Sequence, residues 1–157
     1  AQLYPLLPSR HCRLVDLGSG AGVPGLVLAI MGVSGVELIE SNSRKCTFLA
    51  EAARVTKTSV VIHNERIEAS ALGIADVVTA RALAPLPRLL AYAEPFIGHN
   101  TTCLFLKGRK LNQELTAAQK TWKMGVTTIP SLSGSGGTIL CLRTLNRNHG
   151  AADFNSV

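Results

Sequence analysis

The 157-residue sequence is poor in aromatic side chains and has no long unbroken apolar run. Aromatic residues make up 4% of it, so platforms on which nucleobases could stack are scarce. The longest apolar run, Val23–Val33, is interrupted by proline and glycine and is shorter than the roughly 20 residues that cross a bilayer. No basic segment followed by an apolar core opens the chain. We therefore expect a cytoplasmic protein that makes no membrane contact.

Spacings typical of disulfide scaffolds and metal sites are also missing. The four cysteines are scattered, without a CxxC pair and without paired Cys/His spacing (Cys12, Cys46, Cys103 and Cys141). Hydrophobic residues nevertheless make up 46% of the chain, which excludes a wholly disordered protein. A chain of this length and composition is expected to form one domain with its own core and to bind no metal.

Positive charge is concentrated in the last third of the sequence. The chain has 16 basic and 10 acidic residues, and residues 105–157 contain seven of the basic but only two of the acidic ones. Five of these cations lie between Lys107 and Lys123. Such a cluster suits a phosphate backbone, but a solvated helix face rich in lysine has the same pattern. Charge alone leaves both interpretations open.

Short apolar runs alternate with helical patterns along the chain. The predicted strands are Arg13–Leu17, Val36–Glu40, Ser59–His63, Ala75–Thr79 and Thr102–Leu106, and the predicted helices are Pro24–Met31, Asn42–Val55, Pro85–Phe96 and Leu111–Trp122. A final strand pair, Val126–Ile129 and Thr138–Leu142, is joined by a loop rich in Gly and Ser. The alternation predicts an open α/β sheet of seven strands, mostly parallel, with helices on both faces. Ligands bind such sheets at the carboxyl ends of the strands, beside the first strand.

A glycine-rich segment follows the first predicted strand. It reads Asp16-Leu-Gly18-Ser-Gly20-Ala-Gly22-Val-Pro-Gly25. Its glycines allow a tight turn and a close approach of backbone to ligand. The segment matches the dinucleotide fingerprint GxGxxG, and Glu40 follows where a ribose-binding acid is expected. Because a carboxylate at Asp16 suits a cationic ligand better than a pyrophosphate, the pattern favours S-adenosylmethionine, which carries a sulfonium and an ammonium group.

Several further segments, together with this loop, resemble one enzyme family. They are Leu14–Gly25, Leu38-Ile-Glu-Ser41, Arg44-Lys45, Phe48-Leu49, Arg66-Ile-Glu68, Ala80-Arg-Ala82 and Leu106-Lys-Gly108. The sequence is similar here to the class I methyltransferases with a Rossmann-like fold. More narrowly, it resembles the bacterial glucose-inhibited division protein B (GidB, or RsmG) family, the 16S ribosomal RNA guanine-N7 methyltransferases. The resemblance extends from about Arg13 to Leu142.

The resemblance implies a binding site for S-adenosylmethionine, which leaves as S-adenosylhomocysteine. The cofactor-binding residues expected from the glycine pattern and the resemblance are Asp16, Gly18, Gly20, Val23, Glu40, Ile67, Glu68 and Arg81. Glu40 would bind the ribose, and Ile67 and Glu68 would flank the adenine. Arg81 and Lys107, where two predicted strands end, are the expected catalytic residues. We expect them to face the methyl acceptor and to hold rRNA phosphate or the O6 edge of guanine.

The implied partner is 16S rRNA or the small ribosomal subunit, bound by a monomer. Guanine N7 has an available lone pair, so the reaction requires positioning and a suitable electrostatic environment but no dedicated general base. The expected methyltransferase domain spans residues 1–145, with the family's N-terminal helical segment largely missing, and residues 146–157 are expected to be a disordered tail. Two alternatives remain open, a nicotinamide-dependent Rossmann oxidoreductase and an RNA-binding fragment that is catalytically incomplete.

Overall fold

The computed structural model describes residues 1–132 and 136–148, in which seven strands form one sheet. The strands are β1 (His11–Leu17), β2 (Ser34–Ile39), β3 (Val61–His63), β4 (Val77–Arg81), β5 (Thr102–Lys107), β6 (Trp122–Pro130) and β7 (Thr138–Arg147). Their order is β3-β2-β1-β4-β5-β7-β6. Strands β1 to β5 pair in parallel, whereas β7 is antiparallel to both β5 and β6. The predicted mostly parallel sheet is confirmed.

Helices cover both faces of this sheet. They are α1 (Gly25–Ile30), α2 (Ser43–Val55), α3 (Leu86–Ala93) and α4 (Leu111–Ala118), with single 3-10 turns at Tyr4–Leu6, Ile67–Ala69 and Glu94–Phe96. Successive residues of a strand point to opposite faces, so β1 sends Leu14 to one core and Val15 to the other. Leu14 packs in the core with Leu28 of α1, and Val15 in the core with Leu86 of α3. The near-continuous apolar strands are therefore explained by burial on both sides.

The sequence-based boundary between α4 and β6 is wrong. The pattern predicts a helix from Leu111 to Trp122, but α4 ends at Ala118 and Trp122 already pairs with Arg147 of β7. The indole is only 6% exposed and packs against the α3–α4 side of the sheet. Burial of this large side chain in the sheet core thus outweighs the continuation of the helical pattern.

Strand β7 also extends further than the sequence pattern predicts. The predicted strand ends at Leu142, with irregular chain beyond it, but β7 continues to Arg147 because Trp122 and Lys123 of β6 supply its hydrogen-bonding partners. The register shifts between Lys123 and Gly125. Of the expected disordered tail, residues 146 and 147 are strand, and residues 149–157 lie outside the described part of the chain.

The order of the strands creates a switch point between β1 and β4. From β1 the chain moves outward to β2 and β3, then returns to place β4 on the other side of β1. Leu17 pairs with Ala80, so the loop after β1 and Arg81 at the end of β4 lie side by side. This crevice is where open α/β sheets bind their ligands.

Candidate functional site

A cavity of about 390 Å³ occupies the carboxyl ends of the central strands. Its described lining comes from the ends of strands and the segments that follow them: Gly18, Ser19, Gly20, Ala21 and Val23 for β1, Ile39, Glu40, Ser41 and Lys45 for β2, Glu65, Arg66, Ile67 and Glu68 for β3, and Arg81, Ala82, Leu83 and Tyr92 for β4. Four separate connections therefore meet at one place. The volume is within the range of small-molecule sites.

The glycine loop reaches Glu40 through a backbone contact. Gly20 has a φ of 56°, in the left-handed region that favours glycine. Its N–H donates to Oε2 of Glu40 at 2.9 Å. The loop ends at Gly25, where an added Cβ would lie 2.7 Å from Oδ2 of Asp16. The glycines therefore serve both a tight turn and a close packing of the helix start on the strand.

Glu40 is the central carboxylate of the cavity. It follows β2, is 6% exposed and accepts a second hydrogen bond, from the N–H of Asn42 to Oε1 at 2.8 Å. Asn42 in turn caps α2 by accepting the N–H of Lys45. Each carboxylate oxygen can accept more than one hydrogen bond, so Glu40 retains acceptor capacity toward the cavity.

Asp16 lies beneath the glycine loop and is not among the described residues of the cavity wall. It is 1% exposed, and its Oδ1 accepts the Thr79 hydroxyl at 2.6 Å. Its Oδ2 has no hydrogen-bond partner among the described residues. Burial raises the pKa of Asp16 to about 6, and the Thr79 hydrogen bond opposes the rise. The predicted direct contact of Asp16 with a cofactor thus gains no support from its position.

The segment after β3 forms the opposite wall. Ile67 and Glu68 belong to a 3-10 turn whose isoleucine is 9% exposed and whose glutamate faces solvent. Ile67 packs with Ile39 in the core beneath the cavity. An apolar surface beside two exposed or half-exposed carboxylates, Glu65 and Glu68, suits an uncharged heterocycle. Both predicted residues of this segment line the cavity.

The two predicted catalytic cations occupy different environments. Arg81 is exposed and lines the cavity, and no hydrogen bond or ion pair within the described chain uses its side chain. The side chain of Lys107 is 9% exposed; its ammonium donates to the Ala84 carbonyl at 2.9 Å and pairs with Glu114 at 2.5 Å. Glu114 also accepts the N–H of Leu86 at 2.8 Å. Lys107 therefore fastens the segment before α3 and is not among the described lining residues.

Lys45 and Tyr92 are among the lining residues that sequence reasoning does not identify as part of the site. Lys45 stands out in the sequence only as part of a family motif, although its place in the first turn after β2 could have indicated it. Tyr92 comes from the last turn of α3, and no local pattern indicates that this helix reaches the cavity.

Two other features concern metals and membranes. Within residues 1–132 and 136–148, no three His, Cys, Asp or Glu side chains are placed to hold a metal ion together. Over the same ranges, no helix combines the length and apolar character needed to cross a membrane. All four cysteines are buried and free of disulfides.

Solved structures with this fold include methyltransferases. The ribosomal protein L11 methylase of Lactobacillus delbrueckii subsp. bulgaricus has a TM-score of 0.71 at 16% identity, covering 93% of this chain and 75% of the methylase. The tRNA (uracil-54, C5)-methyltransferase of Pyrococcus abyssi, solved in complex with S-adenosyl-L-homocysteine, has a TM-score of 0.61 at 14% identity over 90% of this chain and 36% of its own. Likeness at this level of identity establishes the fold.

Sequence comparison gives a narrower assignment. The ribosomal RNA small subunit methyltransferase G of Paramagnetospirillum magneticum is 57% identical over 146 residues, which are 93% of this chain and 71% of the relative. The family model described as GidB, rRNA small subunit methyltransferase G, matches residues 1–139. With the glycine loop, Glu40 and Arg81 meeting at one cavity of a class I methyltransferase fold, the chain belongs to the GidB (rRNA small subunit methyltransferase G) family.

Proposed function

We propose that this chain transfers a methyl group from S-adenosylmethionine to N7 of a guanine in 16S rRNA. The observation that carries the proposal is the buried carboxylate of Glu40 in the cavity wall, where two backbone N–H groups fix it beside the glycine loop. The three carboxylates of the wall, Glu40, Glu65 and Glu68, suit a ribose diol and the cationic groups of S-adenosylmethionine. Family membership supports rRNA as the acceptor.

When bound, S-adenosylmethionine supplies an electrophilic methyl group. Glu40 would accept the ribose hydroxyls, Ile67 and Glu68 would flank the adenine, and Gly18, Gly20 and Val23 would line the remainder. Since N7 of guanine uses an existing lone pair, no proton leaves in the transfer step. The protein then has to position the two reactants and exclude water, and none of these residues has to act as a base.

Arg81 and Lys107 have different roles in this proposal. Arg81 is the cation that faces the acceptor, because it is exposed on the cavity wall and unpaired within the described chain. Lys107 is a positioning residue, because its ammonium is held by Glu114 and by the carbonyl of Ala84 in the segment that follows Arg81.

We propose a monomer as the working unit, in which four connections of the chain form the described cavity wall. An rRNA substrate in the bacterial cytoplasm accords with the bacterial sources of the relatives.

The donor site is tested by calorimetric titration with S-adenosylmethionine, S-adenosylhomocysteine and NADH. We expect the first two to bind and NADH not to bind. Glu40→Gln should weaken S-adenosylhomocysteine about 10- to 100-fold, because the amide cannot accept both backbone N–H groups as the carboxylate does. Glu51→Gln, on the exposed face of α2, should bind S-adenosylhomocysteine with the affinity of the wild type. Binding of NADH alone would contradict the proposal and favour an oxidoreductase.

The acceptor is tested by incubating the protein with labelled S-adenosylmethionine and small-subunit rRNA, naked or in the subunit. Mass spectrometry of the digested RNA should reveal 7-methylguanosine. A different methylated nucleoside would refute N7 as the target. Donor binding without any transfer to RNA would instead support the catalytically incomplete RNA-binding alternative.

A further inference from the structure

A second, more open cavity of about 570 Å³ adjoins the first. Its described lining is Gly20, Ala21, Arg44, Lys45, Phe48 and Arg81. Four of these residues, Gly20, Ala21, Lys45 and Arg81, also line the first cavity. The two spaces are therefore neighbours across one shared wall. A molecule in the second cavity would lie directly beside a donor bound in the first.

The two cavities differ in charge. The described wall of the first contains three carboxylates and three cations, whereas the described wall of the second contains three cations and no acid. Arg44, Lys45 and Arg81 are exposed, and no hydrogen bond or ion pair within residues 1–132 and 136–148 uses their side chains. Unengaged cations on one side of a cavity attract a polyanion such as a phosphate backbone.

Phe48 gives this wall an aromatic surface. Its side chain is 54% exposed, although the sequence has few aromatic residues to expose. The buried face of α2 is formed by Cys46, Leu49 and Ala53, so the core does not hold Phe48 in place. Arg44 lies four residues before it, on the same side of the helix. An exposed aromatic ring among free cations is the combination with which proteins bind single-stranded nucleic acid.

We propose that Arg44, Lys45, Phe48 and Arg81 form the subsite that holds the single-stranded rRNA segment carrying the methyl acceptor. Phe48 stacks on a base of this segment, and the cations hold its phosphates. The inference rests on the proposed function and names the residues by which that site selects its substrate. RNA is favoured over an acidic peptide because a peptide offers no planar base to the exposed ring.

The test compares exposed positions on the same helix. Phe48→Ala is expected to raise KM for rRNA about 5- to 150-fold, the value of one base stack, with the Kd for S-adenosylhomocysteine unchanged. Phe48→Trp should restore KM, since the indole also stacks. Val55→Ala, at the exposed far end of α2, is the matched control and should behave as the wild type.

The cations are tested through salt dependence. Arg44→Gln should lower the slope of log Kd for a single-stranded oligoribonucleotide against log salt by about 0.7, the value of one phosphate contact. Arg54→Gln, whose arginine is exposed but paired with Glu51, should leave the slope unchanged.

The outcomes separate this inference from the proposed function. If wild-type protein methylates rRNA and Phe48→Ala has the wild-type KM, the subsite is refuted and the proposed function stands. If Phe48→Ala weakens the binding of an acidic peptide but not the binding of RNA, a peptide occupies the subsite and the inference is again refuted. If wild-type protein binds no methyl donor and modifies no rRNA, the proposed function itself fails.

Discussion

At the scale of single residues, two buried carboxylates near the glycine loop differ in their hydrogen-bond donors. Glu40 accepts two backbone N–H groups, one to each oxygen. Asp16 accepts the Thr79 hydroxyl at Oδ1, and its Oδ2 has no hydrogen-bond partner within the described chain. Burial without sufficient donors disfavours the charged form, which raises the pKa of Asp16 to about 6. Asp16 is thus a buried group whose charge changes slightly below neutral pH.

This pKa predicts a pH-dependent stability difference between wild type and Asp16→Asn. Below the usual value of 3.8 the carboxyl is neutral in both the folded and the unfolded state. As the pH rises to about 6, the unfolded chain loses this proton first, so the folded wild type is progressively destabilised. The free energy of unfolding of wild type should therefore fall relative to Asp16→Asn by about 2 kcal/mol between pH 4 and pH 7.

Urea unfolding of both proteins at several pH values measures this difference. The asparagine keeps an oxygen that can accept the Thr79 hydroxyl, so the comparison isolates the ionisation. A difference in unfolding free energy that does not change with pH would contradict the raised pKa.

Lys107 allows a second prediction at this scale. Its side chain is 9% and that of Glu114 20% exposed, so removing the cation leaves a largely buried carboxylate without its partner. Lys107→Met should lower the free energy of unfolding by about 3 kcal/mol. The double variant Lys107→Met/Glu114→Gln should recover much of this stability, because the glutamine oxygen can still accept the N–H of Leu86.

Methyl transfer by the double variant then distinguishes positioning from contact with the acceptor. If Lys107 only fastens the segment before α3, a stable double variant retains both donor affinity and kcat. A double variant that is stable and binds the donor but no longer transfers the methyl group would mean that Lys107 contacts the rRNA.

At the scale of elements, the start of α1 packs unusually close to β1 and β2. A Cβ added to Gly25 would lie 2.6 Å from the Leu38 side chain and 2.7 Å from Cβ of Asp16. Gly25→Ala should therefore destabilise the fold by about 1–3 kcal/mol and weaken donor binding, because α1 and the loop before it must shift away from the strands.

Gly108→Ala is the matched control for this substitution. An added Cβ there meets no described atom within 4 Å, so thermal unfolding should remain close to that of the wild type. A Gly25→Ala protein with wild-type unfolding temperature and wild-type donor affinity would show that position 25 does not require glycine.

The strands and helices also differ in how well the sequence predicted them. Near-continuous apolar runs identified β1, β2, β4 and β5, because strands buried on both faces have few polar positions. The Asn42 cap marked the start of α2. The end of α4 depended on the packing of Trp122 into the sheet, a tertiary contact that leaves no local signal.

The candidate site was predictable to a similar degree. Positions at the carboxyl ends of parallel strands follow from topology, which is why Glu40 and Arg81 were expected there, whereas Ile67 was indicated only by the family resemblance. All three line one cavity. The direction of a side chain does not follow from topology. Lys107 lies at a strand end as expected, yet Glu114 of α4 and the carbonyl of Ala84 hold its ammonium.

At the scale of the whole molecule, the fold divides the cationic cluster that the sequence shows as continuous. Arg109 and Lys110 follow β5 at the edge that carries the cavities. Helix α4 then leads back to the start of β6, and Trp122 pairs with Arg147 at the far end of β7. Strand β7 begins beside Lys107, at the carboxyl ends of the parallel strands, and runs antiparallel to β5. Lys120 and Lys123 therefore lie at the amino ends of the parallel strands, on the side of the sheet away from the cavities.

This division predicts that neutralising Arg109 and Lys110 affects rRNA binding differently from neutralising Lys120 and Lys123. Arg109→Gln/Lys110→Gln should weaken rRNA binding and lower the slope of log Kd against log salt by about 0.7 for each phosphate that the variant no longer binds. Lys120→Gln/Lys123→Gln removes the same net charge from the opposite edge and should leave that slope unchanged. Equal effects of the two variants would mean that rRNA responds to total charge rather than to the cavity edge. An effect confined to the second pair would place the rRNA on the far side of the sheet, where the donor cavity is out of its reach.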